Sequence, residues 1–198
     1  MSPITHFLVS WSLADVLRLR ARDRALATWC GVLPDADGLG VLLDGANRLL
    51  GRTGSWYYGE YHHAVLHGVF AAVVIPLSLP FFAAKRLRMF AVGVLAAHLH
   101  FLCDVVGSRG SGVDDLWPLP YLAPFSQRLT IQWSGQWSLD AWPNIGFTLL
   151  LIAFAFFRAI GAGYSPVGVF SAGADRAFVE TIRNRWRIFR HGTSRREG

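Results

Sequence analysis

Formal charge is scarce in this chain. Asp, Glu, Lys and Arg make up 16% of its 198 residues, while 53% are hydrophobic; a typical soluble domain carries about 25% charged residues. That balance leans towards a membrane. Cysteine is nearly absent. Two residues, Cys30 and Cys103, exclude a disulfide framework and read as small buried apolar groups, with a single bridge or a ligand role as the alternative. A secretory signal is missing too: the N-terminus has no basic n-region, and His6 and Asp15 interrupt its apolar stretch. No internal repeat or low-complexity tract stands out. The charge that exists is uneven. Residues 176–198 hold seven arginines against two glutamates and carry +5 of the net +6. The near-neutral body excludes a globally basic nucleic-acid surface, so no nucleic-acid partner is expected.

What the chain does have is histidine and aspartate set in apolar sequence. His6 stands near the start, His62, His63 and His67 share one stretch, and His98 and His100 precede Asp104; Pro34-Asp35-Ala36-Asp37 adds two carboxylates. Buried polar groups are costly unless something pairs with them. Imidazole with carboxylate is the ligand set of zinc, manganese and non-haem iron, so a divalent metal centre is the simplest reason for so many.

Apolar helical runs alternate with basic or polar connections. The pattern predicts helices over 4–17, 25–33, 41–50, 89–103 and 145–157. It also predicts a 21-residue uncharged run over 64–84, the one segment that clearly meets the length of a membrane span, kinked at Pro76 and Pro80. Residues 107–144 are rich in Gly, Pro and Trp, with a short hairpin expected around Ser134-Gly135. The expected fold is all-α: a helical membrane protein, with a membrane-embedded domain over 1–160 and a linker and basic tail over 161–198. In that tail Phe178, Ile182, Trp186 and Phe189 make one apolar stripe with the arginines off it, the pattern of a helix lying on an anionic membrane surface.

Short connections make neighbouring helices antiparallel. Every candidate ligand then falls at one end of the bundle, and the basic turns at 18–24 and 85–88 at the other. The positive-inside rule makes the basic end cytoplasmic and the metal end periplasmic. Within the clusters, His100 and Asp104 are i, i+4 and share a face, whereas His98 lies about 200° around the helix from His100. His63 and His67 are also i, i+4, so periodicity favours His63; if the helix starts near residue 64, His62 sits on the loop and the rule does not apply.

Several motifs appear in a fixed order: Thr5-His6, Leu33-Pro34-Asp35-Ala36-Asp37, His62-x4-His67, and His100-x3-Asp104 followed by Gly107 and Leu116-Trp117-Pro118. Across residues 3–120 the chain resembles the membrane-bound, metal-dependent hydrolase family whose founding members are LexA-regulated inner-membrane proteins of bacteria. In that family's His-Arg-Gly-x-x-His-Ser block, His62 and His67 match while Arg, Gly and Ser are replaced. The resemblance favours His62 over His63, which stays as the alternative. A weaker similarity is to the zinc-dependent phospholipase C and single-strand nuclease class.

The resemblance implies a multi-pass protein of the bacterial inner (cytoplasmic) membrane and a metal-dependent hydrolase. The expected metal ligands are His6, Asp35, Asp37, His62, His67, His100 and Asp104. These are more donors than one tetrahedral zinc needs, so one or two ions are expected, zinc first, with manganese or iron as alternatives. Metal-activated water would attack an ester or phosphodiester, with membrane lipid as partner and a small molecule or lipid as substrate. The rival from another class is a metal-binding or metal-translocating membrane protein without catalysis. Ligands at one helix end beside a cleft favour the enzyme; ligands strung along the bundle axis favour transport.

Overall fold

The computed structural model describes residues 1–52, 54, 56–62, 65–79, 83, 85–112 and 114–194, save the side chains of Glu60 and of residues 191–194. The chain is mostly helical. Helix α1 spans Pro3–Val16, α2 Ala21–Cys30, α3 Gly40–Leu49, α4 Tyr57–Tyr61, α5 Val69–Ser78, α6 Arg86–Gly107, α7 Trp142–Ala162 and α8 Ala172–Ser194. A 3-10 turn, Leu33–Leu39, joins α2 to α3, and a second, Pro166–Val169, joins α7 to α8. Two short strands, β1 (Leu119–Pro120) and β2 (Thr130–Ile131), pair antiparallel.

Local chemistry sets several of these ends. The Ser2 hydroxyl accepts from the Thr5 amide at 3.2 Å and Pro3 stands at the first helical position, where no N–H is needed. Helix α7 carries Pro143 in its first turn and closes on Gly163 at φ 80°, a left-handed cap that glycine adopts without strain.

Among the described residues, two helices, α6 and α7, are long and apolar enough to cross a membrane, and the bent pair formed by α2 with Leu33–Leu49 passes the same test across a 48° break. This corrects the expectation for 64–84. There α5 is only ten residues long, too short to span alone. Pro76 sits inside it and removes an N–H, and Leu79 after it still has helical backbone at φ −70° and ψ −43°. Residues 80–82 and 84 lie outside the described ones. The candidate spans α6 and α7 extend past the expected runs 89–103 and 145–157 at both ends. The hairpin expected at Ser134-Gly135 is also corrected: that dipeptide lies in a turn closed by Gln136 N–H on Trp133 O at 3.2 Å, and the strand pair lies upstream.

The core forms where α1, α2, α5 and α6 meet. Trp11, Ala14, Ala27, Ala71, Ala72, Ala96 and Ala97 are all essentially fully buried. Small residues at these crossings let the backbones approach closely. Cys30 and Cys103 are both buried and free. One polar cross-tie joins α1, α2 and α7. Asp15 pairs with Arg158, whose Nε lies 2.7 Å away and whose Nη2 donates at 3.2 Å, and accepts from the Tyr164 hydroxyl at 2.6 Å; Arg24 lies 3.7 Å from it with its guanidinium 3.8 Å over the Tyr164 ring. Arg24 therefore belongs to the interior, not to the solvated basic turn the sequence suggests. Arg88 still meets the first turn, donating to Leu17 O at 3.0 Å. The boundary expected at residue 160 falls in the last turn of α7.

Candidate metal centre

Each candidate side chain comes from a helix end or a break. His6 lies in the first turn of α1, and Asp35 and Asp37 lie in the 3-10 turn between α2 and α3. His62 follows α4, His67 precedes α5, and His100 and Asp104 lie in the last two turns of α6. Irregular backbone at such depth survives where it is enclosed by protein or lines a cavity. The structure brings all seven together. His6, His67 and His100 are fully buried, and Asp104 is 4% exposed.

Two imidazoles are locked by their Nδ1 atoms. His100 Nδ1 donates to the Gly31 carbonyl at 2.8 Å. His67 Nδ1 donates to Asp37 Oδ2 at 3.1 Å. The Nε2 atom of each ring therefore faces inward, and the two are 3.1 Å apart. Asp104 Oδ2 lies 3.1 Å from His100 Nε2 and 3.6 Å from His67 Nε2. Asp35 Oδ1 lies 3.6 Å and 3.8 Å from the same two nitrogens. With both Nδ1 positions committed, four acceptor atoms point at one another. Among the described residues, no hydrogen-bond donor reaches the Oδ2 atoms of Asp35 and Asp104. Such a cluster is repulsive unless a cation shares it. Donors around a tetrahedral ion with bonds of about 2.0–2.1 Å are about 3.3 Å apart, and the five distances of 3.1–3.8 Å bracket that value.

Among the described residues, three groups of donors could hold an ion: His6, His100 and Asp104; Asp35, His67 and His100; Asp37, His62 and His67. They share His100 and His67. His6 stacks on His100 at 3.8 Å between ring centroids and puts Nε2 3.0 Å from Asp104 Oδ1. Burial pulls the His6 imidazole below its ordinary value, so its lone pair is available. Asp104 also meets the Met1 amino group and accepts from Ser108 Oγ at 2.8 Å. Asp37 receives three N–H groups: His62 Nδ1 at 3.0 Å, His67 Nδ1 and Leu66 N at 3.1 Å. Burial opposes the charge on His67, but Asp35 and Asp37 outweigh it and push the imidazole up to about 9.

Gly31 makes the His100 bond attainable. A Cβ there would sit 1.9 Å from Ser10 Oγ and 3.2 Å from the Ala96 carbonyl. His98 lies apart, with Nδ1 on the Val94 carbonyl at 2.8 Å and Nε2 bonded to the Tyr121 hydroxyl at 3.0 Å. His63, the alternative to His62, lies outside the described residues.

A cavity of about 460 Å3 opens beside the cluster. Asp35, Asp104, His62 and Tyr58 line its polar part, and Leu39, Val41, Trp117 and Leu139 are among the residues of its apolar part. Tyr58 packs on His62 at 4.5 Å, and burial together with the nearby carboxylates pushes its phenol up, so it stays protonated.

Three supporting residues escaped the sequence reading. The Asp44 carboxylate accepts from the Tyr57 and Tyr58 amides at 2.8 and 2.9 Å, capping α4 and fixing Tyr58. Buried Gln136 donates to the Asp104 carbonyl at 2.8 Å and accepts from the Trp117 amide at 2.9 Å. Asn144 donates to the Gly107 and Ser138 carbonyls. Each is a single polar residue reaching across the fold, and no periodicity marks it. No family model matches the chain, and neither a curated protein nor a solved structure matches it.

Proposed function

We propose that this chain is a metal-dependent hydrolase of the bacterial inner membrane, multi-pass, acting on an ester or phosphodiester of a lipid-like substrate. One observation carries the reading: the Nε2 atoms of His67 and His100 and the carboxylates of Asp35 and Asp104 converge with their hydrogen-bond acceptors facing one another. The helices form an antiparallel bundle with these donors at one end. The basic residues around Arg18 and Arg88 lie at the other, which the positive-inside rule makes cytoplasmic.

Imidazole with carboxylate suits zinc first, and manganese or iron as alternatives. His67, His100, Asp35 and Asp104 would hold one ion, with His6 and the second oxygen of Asp104 offering a place for another. A divalent cation held there would supply Lewis acidity and a water acidified to a pKa near 7. Asp37 fixes the ring orientation of His67 and His62, as carboxylates do for metal-bound imidazoles. Tyr58 donates its phenolic proton as a hydrogen bond to an oxygen of the substrate head. Leu39, Val41 and Leu139 take the apolar part, and Trp117 closes the side where the 107–144 segment passes. A cleft beside a cluster at one helix end supports catalysis over translocation.

Elemental analysis of the detergent-purified chain, with a panel of ester and phosphoester amphiphiles, tests the reading. Stoichiometric metal with turnover of a panel member is expected. Metal without turnover on any member would favour the non-catalytic metal-binding alternative. Absence of metal would remove both.

A further inference from the structure

The metal end leaves a second feature unused, a groove at the opposite end of α7. It has a volume of about 430 Å3 and lies between the exposed face of α7 (Phe156, Phe157, Ile160) and the apolar stripe of α8 (Ile182, Trp186), with Arg185 at its edge. Helix α8 is fastened across the end of α7: Arg183 Nε donates to the Ile160 carbonyl at 2.9 Å, one of the last carbonyls that a helix leaves without an internal partner. Phe178 also packs on Phe156 at 6.1 Å. The groove therefore sits where α7 stops being apolar and an arginine-rich helix begins.

We propose that this groove binds an anionic phospholipid of the bilayer, with an acyl chain between α7 and α8 and the phosphate on Arg185. Three observations identify the occupant. Helix α7 passes the length and composition test for a membrane span and is largely exposed, with Leu150 70% and Phe157 67% accessible, so hydrocarbon is what its composition calls for. The groove is apolar except at one edge. At that edge, no hydrogen bond or ion pair holds Arg185 among the described residues, and α8 carries five arginines against Asp175 and Glu180. Asp175 is already committed, accepting from the Ser165 hydroxyl at 2.6 Å. A cationic rim over an apolar slot at the end of a span matches a phosphate above an acyl chain. The inference rests on the membrane reading of α7 and not on the metal centre.

The test uses tryptophan quenching by brominated acyl chains in vesicles of phosphatidylcholine, with brominated phosphatidylglycerol or brominated phosphatidylcholine as the reporter lipid. The full chain and its Trp186→Phe variant are compared, so that the difference isolates Trp186. Brominated phosphatidylglycerol should quench the Trp186 component at a lower mole fraction than brominated phosphatidylcholine, and Arg185→Gln should reduce that preference by about fivefold, the worth of one arginine at an anionic surface. Equal quenching by both headgroups, or a preference unchanged in Arg185→Gln, would overturn the proposal. A Trp186 component silent to both lipids, with crosslinking between chains through α8, would assign the groove to a second copy instead. Flotation of the protein with the vesicles reports separately whether the membrane reading holds.

Discussion

Replacing Asp37 by Asn removes a charge that touches two imidazoles at once. Asp37 Oδ1 holds His62 Nδ1 at 3.0 Å, and Oδ2 holds His67 Nδ1 and Leu66 N at 3.1 Å. An amide offers one acceptor oxygen and one donating NH2. It can keep one imidazole N–H, but its NH2 then faces the other. If the oxygen stays with His62, His67 must turn or change tautomer, and its Nε2 no longer presents a lone pair to the cluster. Losing an orienting carboxylate costs about 10–100-fold in metal affinity, roughly 1.4–2.7 kcal/mol. His67→Ala, which removes a donor, should abolish stoichiometric binding. The assay is competition against a chelator of known affinity in detergent at fixed pH, with circular dichroism confirming retained helix content. Total loss of metal in Asp37→Asn, matching His67→Ala, would make Asp37 a direct ligand, as the sequence reading had it. Unchanged affinity would refute the orienting role altogether.

Further outcomes follow from the same contacts. His100→Ala and Asp104→Ala should each lose bound metal while the protein still inserts, whereas His98→Ala should keep the metal and lose about 1–2 kcal/mol in a detergent melt, since it breaks the bonds to the Val94 carbonyl and the Tyr121 hydroxyl and neither reaches the cluster. Metal affinity should rise with pH up to about 9 and then level: His67 holds a proton below that value in the metal-free site, the ion must displace it, and one proton should be released per ion in unbuffered titrations; a flat profile between pH 6 and 9 would contradict this. Asp15→Ala should destabilise the protein by about 3 kcal/mol or more, because it leaves Arg24 interior and unpaired; a melting shift below one degree would remove the cross-tie from the account. A reporter fused after Gly198 should read as cytoplasmic, and a periplasmic signal would invert the topology.

What the sequence made legible was local. The i, i+4 pair His100/Asp104 and the exclusion of His98 follow from helix geometry, and His98 does turn to Tyr121. The Ser2-Pro3 start of α1 carries its own signal. What stayed hidden depended on partners far along the chain. Composition cannot tell that 64–84 breaks after Ser78, because an uncharged run looks alike whether it spans a membrane or packs as a short helix. Arg24 reads as one member of a basic turn, and only the arrival of Asp15, Arg158 and Tyr164 makes it interior. Gln136 lies 32 residues from the carbonyl it clamps. Leu139→Arg, which fills the cavity beside the cluster without touching Gln136, is therefore the variant that asks whether substrate occupies that cavity.

The Gly31 carbonyl is the acceptor that holds His100 Nδ1, and it is reachable because no side chain separates α2 from Ser10 of α1 and Ala96 of α6. On the proposed metal reading, loading of the ion is a late event in the life of the chain. In a zinc finger a few neighbouring residues capture the metal and the fold follows; here the donors run from His6 to Asp104, and His100 is aimed only once three helices have docked. Insertion that left α2 undocked from α6 would deliver a protein with every donor present and His100 unaimed. Gly31→Ala should mimic that failure, with ligands intact, helices formed and the ion absent.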